Sequence, residues 1–220
     1  MVALWAIISN GMKKLSQEQK IIFLQAIFVA AMILANLTGS KIINIFNINV
    51  SVAIWLLPIL FLITDILTEV KGKKFVVDMI WVTTIILVLT LIFIQITVHL
   101  QPAERYSSNE AYATIFQNSS RMIIASIIAF ILAQFHDIWA FDFWKRKTNG
   151  KHLWLRNNFS TFVSQFIDTT VFMFIAFYHM TPKFDVAFVW QLIVPYYLLK
   201  LIMALLDTPF AYLGVRWLKK

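Results

Sequence analysis

Cysteine is absent from the 220 residues, which removes disulfides, thiolate nucleophiles and cysteine metal sites and leaves the redox compartment undetermined. Charge is scarce: Asp, Glu, Lys and Arg make up 14% of the chain. The basic residues behind the formal charge of +8 fall in short clusters and form no extended basic domain of the kind that grips nucleic acid. The five glycines compose no phosphate-binding loop. His136 precedes Asp137, but no further histidine or carboxylate stands at metal-ligand spacing from them, so no metal or cofactor is expected. Nor is there a nucleophile–base arrangement, which argues against an enzyme. The opening stretch Met1–Ser9 lacks a basic leader and a cleavage site and is too short to span a bilayer. It reads as an interfacial helix.

What the chain does have is apolar length. Hydrophobic residues reach 60%, aromatics 15%, and mean hydropathy is +0.76, more apolar surface than one soluble domain of this size can hide. Continuous runs near the roughly 20 residues a helix needs to cross a core of about 30 Å point to helices and exclude the alternating short strands of a barrel. The expectation is a single all-α transmembrane domain over residues 1–220. Its six spans run Ile21–Ser40, Val50–Thr68, Phe75–Thr97, Ser120–Trp139, Asn158–Tyr178 and Val186–Leu206, the last continuing to Leu213. Lysines and arginines cluster at alternate ends. Lys13, Lys14 and Lys20 precede the first run; Lys71, Lys73 and Lys74 follow the second; Lys145, Arg146, Lys147, Lys151 and Arg156 follow the fourth; Arg216, Lys219 and Lys220 close the chain. By the positive-inside rule both termini face the cytoplasm. Trp55, Trp139, Trp190 and Trp217 fall near the ends of runs, where amphipathic rings favour the headgroup region.

Against this background the charges inside the runs stand out. Each ionised side chain at a helix centre opposes insertion by about 2.5–3.5 kcal/mol, so such a group faces a cavity or a partner and marks a site or pathway. Asp168 lies mid-run; Asp65, Asp137, Lys200 and Asp207 lie in other runs or at their inner ends. At 1.5 Å per residue Asp168 is about 16 Å in from the cytoplasmic end and Lys200 about 18 Å in from the opposite end, one shared depth at which they can pair. A direct or water-bridged pair is the leading expectation, and a role in helix packing alone is the alternative. Thr161, Ser164, Gln165 and Asp168 form a stripe at offsets of three, four and seven, while Gln134 with Asp137 and Lys200 with Asp207 repeat the spacing elsewhere. Together these faces would line a chamber opening toward the cytoplasm. Asn36, Gln95 and His99 are neutral candidates, the Asn and Gln more simply read as making interhelical hydrogen bonds.

Pro58 and Pro195 are expected to kink the second and sixth spans. Ala26, Ala30, Ala31 and Ala35 carry four-residue small spacing that lets another helix approach closely, internally or from a partner.

Phe61–Lys74 (FLITDILTEVKGKK), Ala133–Arg146 (AQFHDIWAFDFWKR), Asn157–Phe177, and Lys200 followed by Asp207-Thr208-Pro209 resemble, in order and spacing, the queuosine precursor transporter family, also called the VUT family. The resemblance runs from about Asn36 to Tyr212. It implies import of 7-deazaguanine bases such as 7-cyano-7-deazaguanine or its aminomethyl relative, in a six-helix, N-in/C-in fold similar to the S components of energy-coupling-factor transporters. For such a ligand the polar groups inside the runs give the expected site: Asp168, Lys200, Asp137, Gln134, Gln165, Asn36, Asp65 and Asp207 contact the substrate or hold residues that do. Two modes follow: a self-sufficient carrier, or a binding subunit that docks an ATP-hydrolysing module through the alanine face.

Overall fold

The structure, a computed structural model, describes residues 15–147, 153–206 and 208–219. Within the helices the side chains of residues 137–138, 141–142, 144–145, 153–161, 203–206 and 208 lie outside the description. So do Asp207 and the N-terminal apolar stretch, and with them the expectations placed on those residues.

Helix α1 (Gln17–Thr38) begins at a capping box. The Gln19 N–H donates to Ser16 Oγ at 3.2 Å and the Ser16 N–H donates to Gln19 Oε1 at 2.9 Å, so two donors left open by a helix start are satisfied. A hairpin follows, β1 (Ile42–Ile45) antiparallel to β2 (Ile48–Ser51), with Ile45 opposite Ile48. Phe46 and Asn47 form its tip at φ 49° and 63°, the left-handed pair of a two-residue type I′ turn. Ile43, Ile45 and Val50 press into the core, while Asn44 Nδ2 donates to Asn49 Oδ1 at 3.0 Å.

A short 3₁₀ turn, Val52–Trp55, leads into α2 (Leu57–Lys71). The second run therefore does not begin as helix at Val50, and Pro58 does not kink it: Pro58 stands in the first turn of α2, where the missing N–H has no intrahelical partner to lose. Gly72 alone separates α2 from α3 (Lys73–His99) at φ 88°, a backbone state open to glycine at little cost. Helix α4 (Asn109–Lys147) starts eleven residues ahead of the run expected from Ser120 and has 39 residues. At about 58 Å it outruns a hydrocarbon core of about 30 Å. Then come α5 (Leu153–Phe177), α6 (Val186–Leu206) with Pro195 inside it, and α7 (Thr208–Lys219). The last run is helical on both sides of position 207, in α6 and in α7.

Among the described residues, four stretches are long and apolar enough to cross a membrane, Gln17–Thr38, Val52–Lys71, Lys73–His99 and Asn109–His136, and Phe162–Phe177 and Val186–Ile202 are shorter apolar helices. The protein is a mainly α-helical membrane protein, with the hairpin as its exception. One core joins α1, α2, α3 and α7 through Leu24, Phe28, Ile63, Leu67, Met79 and Leu218. A second joins the hairpin to α4, α5 and α6 through Val50, Met122, Met173, Phe177, Leu192 and Tyr196. Between them Leu87, Ile94 and Ile123 tie α3 to α4.

Lipid tails are as apolar as leucine, so close approach rather than water exclusion holds such helices together. Ala125 and Ala129 on α4 and Ala176 on α5 are completely buried, and α4 and α5 pack against each other along their length. At Gly214 of α7 a Cβ would collide with the side chain of Ile66 on α2. There the absence of a side chain sets how near the helices come.

Candidate functional site

The stripe Val189, Ile193, Tyr196 on α6 is buried, and Lys200 continues it by one turn, so its ammonium is delivered to the bundle interior. On α5, Ser164 is buried and Asp168 follows four residues later on the same face. The two charges meet: Lys200 Nζ lies 2.7 Å from Asp168 Oδ2, with 11% and 30% of the respective side chains exposed. A charge-assisted hydrogen bond of that length offsets much of the desolvation each group suffers. The carboxylate offers about four acceptor positions, so one ammonium does not exhaust it.

Other side chains converge on this helix pair. His136 Nδ1 on α4 lies 3.0 Å from Ser164 Oγ. Gln165 is half-buried, and its backbone carbonyl accepts from Thr169 Oγ1 at 2.8 Å. Gln134 is half-buried on α4 two residues before His136. One turn above Lys200, Tyr196 OH donates to the Ser51 carbonyl at 3.0 Å, and Ser51 Oγ donates to the Gly39 carbonyl at 2.6 Å. The hairpin base is thus fastened to the helix that carries the lysine. Tyr197 OH reaches the Phe162 carbonyl at 3.4 Å, with its ring edge-on to Phe166.

The remaining candidates are scattered. Asn36 is buried on α1; its Nδ2 donates to the Met32 carbonyl at 2.9 Å, while Oδ1 is buried with no partner. Asp65 lies on an exposed face of α2. The Asp137 side chain and Asp207 fall outside the described residues. Gln95 makes the expected interhelical bond, Nε2 to Ser120 Oγ at 2.8 Å. Of the four alanines on α1, Ala26 and Ala30 are exposed, whereas Ala31 is buried and Ala35 half-buried. Only the first pair is open to a partner.

Three features escaped sequence reasoning. The hairpin had a signal in two four-residue runs, IINI and INVS, around a two-residue step, weakened because Phe-Asn replaces the usual Asn-Gly. Arg121 Nε donates to the Ile175 carbonyl at 2.6 Å and Nη2 donates to the Tyr178 carbonyl. It caps the C-terminus of α5, where a cation also meets the negative end of the helix dipole. Lys20 is buried and donates to the Trp217 carbonyl at 3.0 Å beneath the indole ring, joining the start of α1 to the end of α7. Both look like ordinary loop-flanking cations in the sequence.

The chain is similar to the "Probable queuosine precursor transporter" of Bacillus subtilis (strain 168): 33% identical over 185 residues, covering 83% of this chain and 79% of that protein. No solved structure matches it significantly. The family model described as "Putative vitamin uptake transporter" matches residues 51–214, a region that holds α2 to α6, most of α7 and the Asp168–Lys200 pair. On these two findings the chain belongs to that family of membrane uptake transporters, and it is not an enzyme.

Proposed function

We propose that the protein imports 7-deazaguanine precursors of the tRNA nucleoside queuosine, 7-cyano-7-deazaguanine or its aminomethyl relative, across the cytoplasmic membrane. In this reading α1, the Val52–Lys71 segment, α3, α4, α5 and α6 are six spans with both termini in the cytoplasm. The observation that carries it is the Lys200–Asp168 contact of 2.7 Å between two apolar helices, in a chain similar to a queuosine precursor transporter. The 7-deazaguanine ring is flat and uncharged, with donors at N1 and the exocyclic amine beside an acceptor carbonyl. A carboxylate accepts from the first two, and an ammonium or an amide such as Gln165 donates to the third. Asn36 Oδ1, a buried acceptor with no partner, is suited to a further donor on the ligand, since such groups are seldom left unsatisfied. Gln134, Asp137, Asp65 and Asp207 belong to the cytoplasmic approach.

The test is uptake of labelled 7-cyano-7-deazaguanine by cells that lack their own importer. Wild-type protein should support it, and Asp168→Asn and Lys200→Met, once shown to insert normally, should not. Wild-type rates in either variant would remove the pair from the site.

A second reading is favoured by the exposed Ala26 and Ala30 on α1, flanked at four-residue spacing by exposed Ile22 and Leu34. This face fits close docking of an ATP-hydrolysing energy-coupling module, in the manner of an S component. Expression without any such module separates the two: uptake identifies a carrier, and binding without uptake identifies a subunit.

A further inference from the structure

Beyond the transport site, α4 carries a surface that the proposed transport does not use. Leu132, Phe135, Trp139 and Phe143 are all exposed and recur at steps of three, four and four residues, a single stripe down the outside of the helix. Trp139 and Phe143 stack with ring centroids 5.5 Å apart and an interplanar angle of 18°. Arg146 and Lys147 come three and four residues further on, again on that side, and Lys147 Nζ lies 5.8 Å from the Phe143 ring. Trp139, Phe143, Arg146 and Lys147 border a groove of about 660 Å³.

We propose that this face binds an anionic phospholipid of the leaflet at the basic end of α4, with phosphate on Arg146 and Lys147, glycerol region on the Trp139–Phe143 stack, and acyl chain along Phe135 and Leu132. The order along the helix, apolar, then aromatic, then cationic, matches the order met on leaving a bilayer from tails to headgroups. Clustered cations beside a membrane helix attract anionic headgroups. A soluble anion would use the cations and leave the apolar track idle, so the continuous stripe favours a lipid. The assignment does not depend on which molecule is transported.

Native mass spectrometry of the purified full-length protein with dioleoyl-phosphatidylglycerol or dioleoyl-phosphatidylcholine tests this. Wild-type protein should retain the anionic lipid at least about tenfold better, and Arg146→Gln with Lys147→Gln should bring the preference within about twofold while substrate binding persists. Should the double variant fail to accumulate, Arg146→Gln alone, at an exposed position, carries the comparison. Equal retention of the two lipids by wild type would overturn the proposal. So would an undiminished preference in the variants, or displacement of the lipid by sn-glycerol 3-phosphate at matched concentration.

Discussion

The polar side chains of α1 to α3 and those of α4 to α6 treat their neighbours differently. In the first group they mostly fold back: Thr64 donates to Phe61, Thr83 to Met79, Thr84 to Ile80, Thr90 to Ile86 and Asn36 to Met32, each on its own helix. In the second they reach across: Lys200 to Asp168, His136 to Ser164, Arg121 to the end of α5, Tyr196 to the hairpin and Tyr197 to α5. Back-bonding hides a hydroxyl inside lipid and makes no demand on a partner. A bond between helices fixes their relative position, and a charged one also concentrates field where water is scarce. The difference separates a packing body from a body built around polar chemistry, and unequal consequences should follow from substitutions in the two.

The largest effects should come from the ion pair. Removing one partner of a buried pair costs about 3–5 kcal/mol because the other charge is left behind; here the cost should be nearer the lower end, since Asp168 keeps 30% of its side-chain exposure. Lys200→Met should therefore lower thermal stability in detergent, and Asp168→Asn less so, because the amide oxygen can still accept from the Lys200 ammonium whereas a thioether gives the carboxylate no donor. Substrate binding should weaken by about 10–100-fold in each, the range for a hydrogen bond to a charged group. The exchange Asp168→Lys with Lys200→Asp sharpens the comparison. If the pair only packs helices, the exchange should restore both stability and uptake. If the two groups present defined donor and acceptor positions to a base, stability should recover and uptake should not. Calorimetric or dye-based melting beside isotope uptake reads both.

Next should come Arg121→Met, which strips the carbonyls of Ile175 and Tyr178 of their donor. Two bonds from a guanidinium contribute about 1.5–3 kcal/mol each when fully buried and less at this half-buried position, so a loss of about 2 kcal/mol is expected, with faster amide exchange confined to the C-terminal end of α5. If exchange rose equally in α2 and α3, the division into two bodies would fail.

How much of this was legible in the sequence follows the same divide. Apolar runs and their charged punctuation disclosed the helices, since length and hydropathy dictate what a bilayer accepts. The Asp168–Lys200 contact was readable because two costly charges at one depth have few other ways to be satisfied. Pro58 was misread: a proline within an apolar run suggests a kink, and nothing local announces that the chain ahead of it is strand and 3₁₀ turn. Arg121 and Lys20 could not be assigned, since their partners are backbone carbonyls 54 and 197 residues away, and a carbonyl carries no sequence signature. For the same reason Asn36 could be named as polar and buried, but its unmatched Oδ1 emerged only once the surrounding helices were in place.

Tyr196→Phe probes the link between the hairpin and α6, with a smaller effect. Deleting one neutral hydrogen bond to Ser51 should cost about 1 kcal/mol and raise hydrogen exchange across residues 42–51. The melting temperature should change little, because the hairpin's apolar contacts remain.

The smallest effect should be Thr83→Val on α3, although Thr83 is among the most completely buried polar residues at 2% exposure. Its hydroxyl donates only to the Met79 carbonyl, at 2.8 Å, an oxygen that the α-helical ladder already engages. Replacing the hydroxyl with a methyl removes a polar group and strands none, the case in which substitution is nearly neutral. A change within about 0.5 kcal/mol and unaltered uptake are expected from melting and transport assays. Burial by itself would rank Thr83 above Asp168, whose side chain is more exposed. What ranks Asp168 first is that its bond ends on another helix and carries a charge, so a large penalty at Thr83 would show that α3 is more than packing and would collapse the distinction.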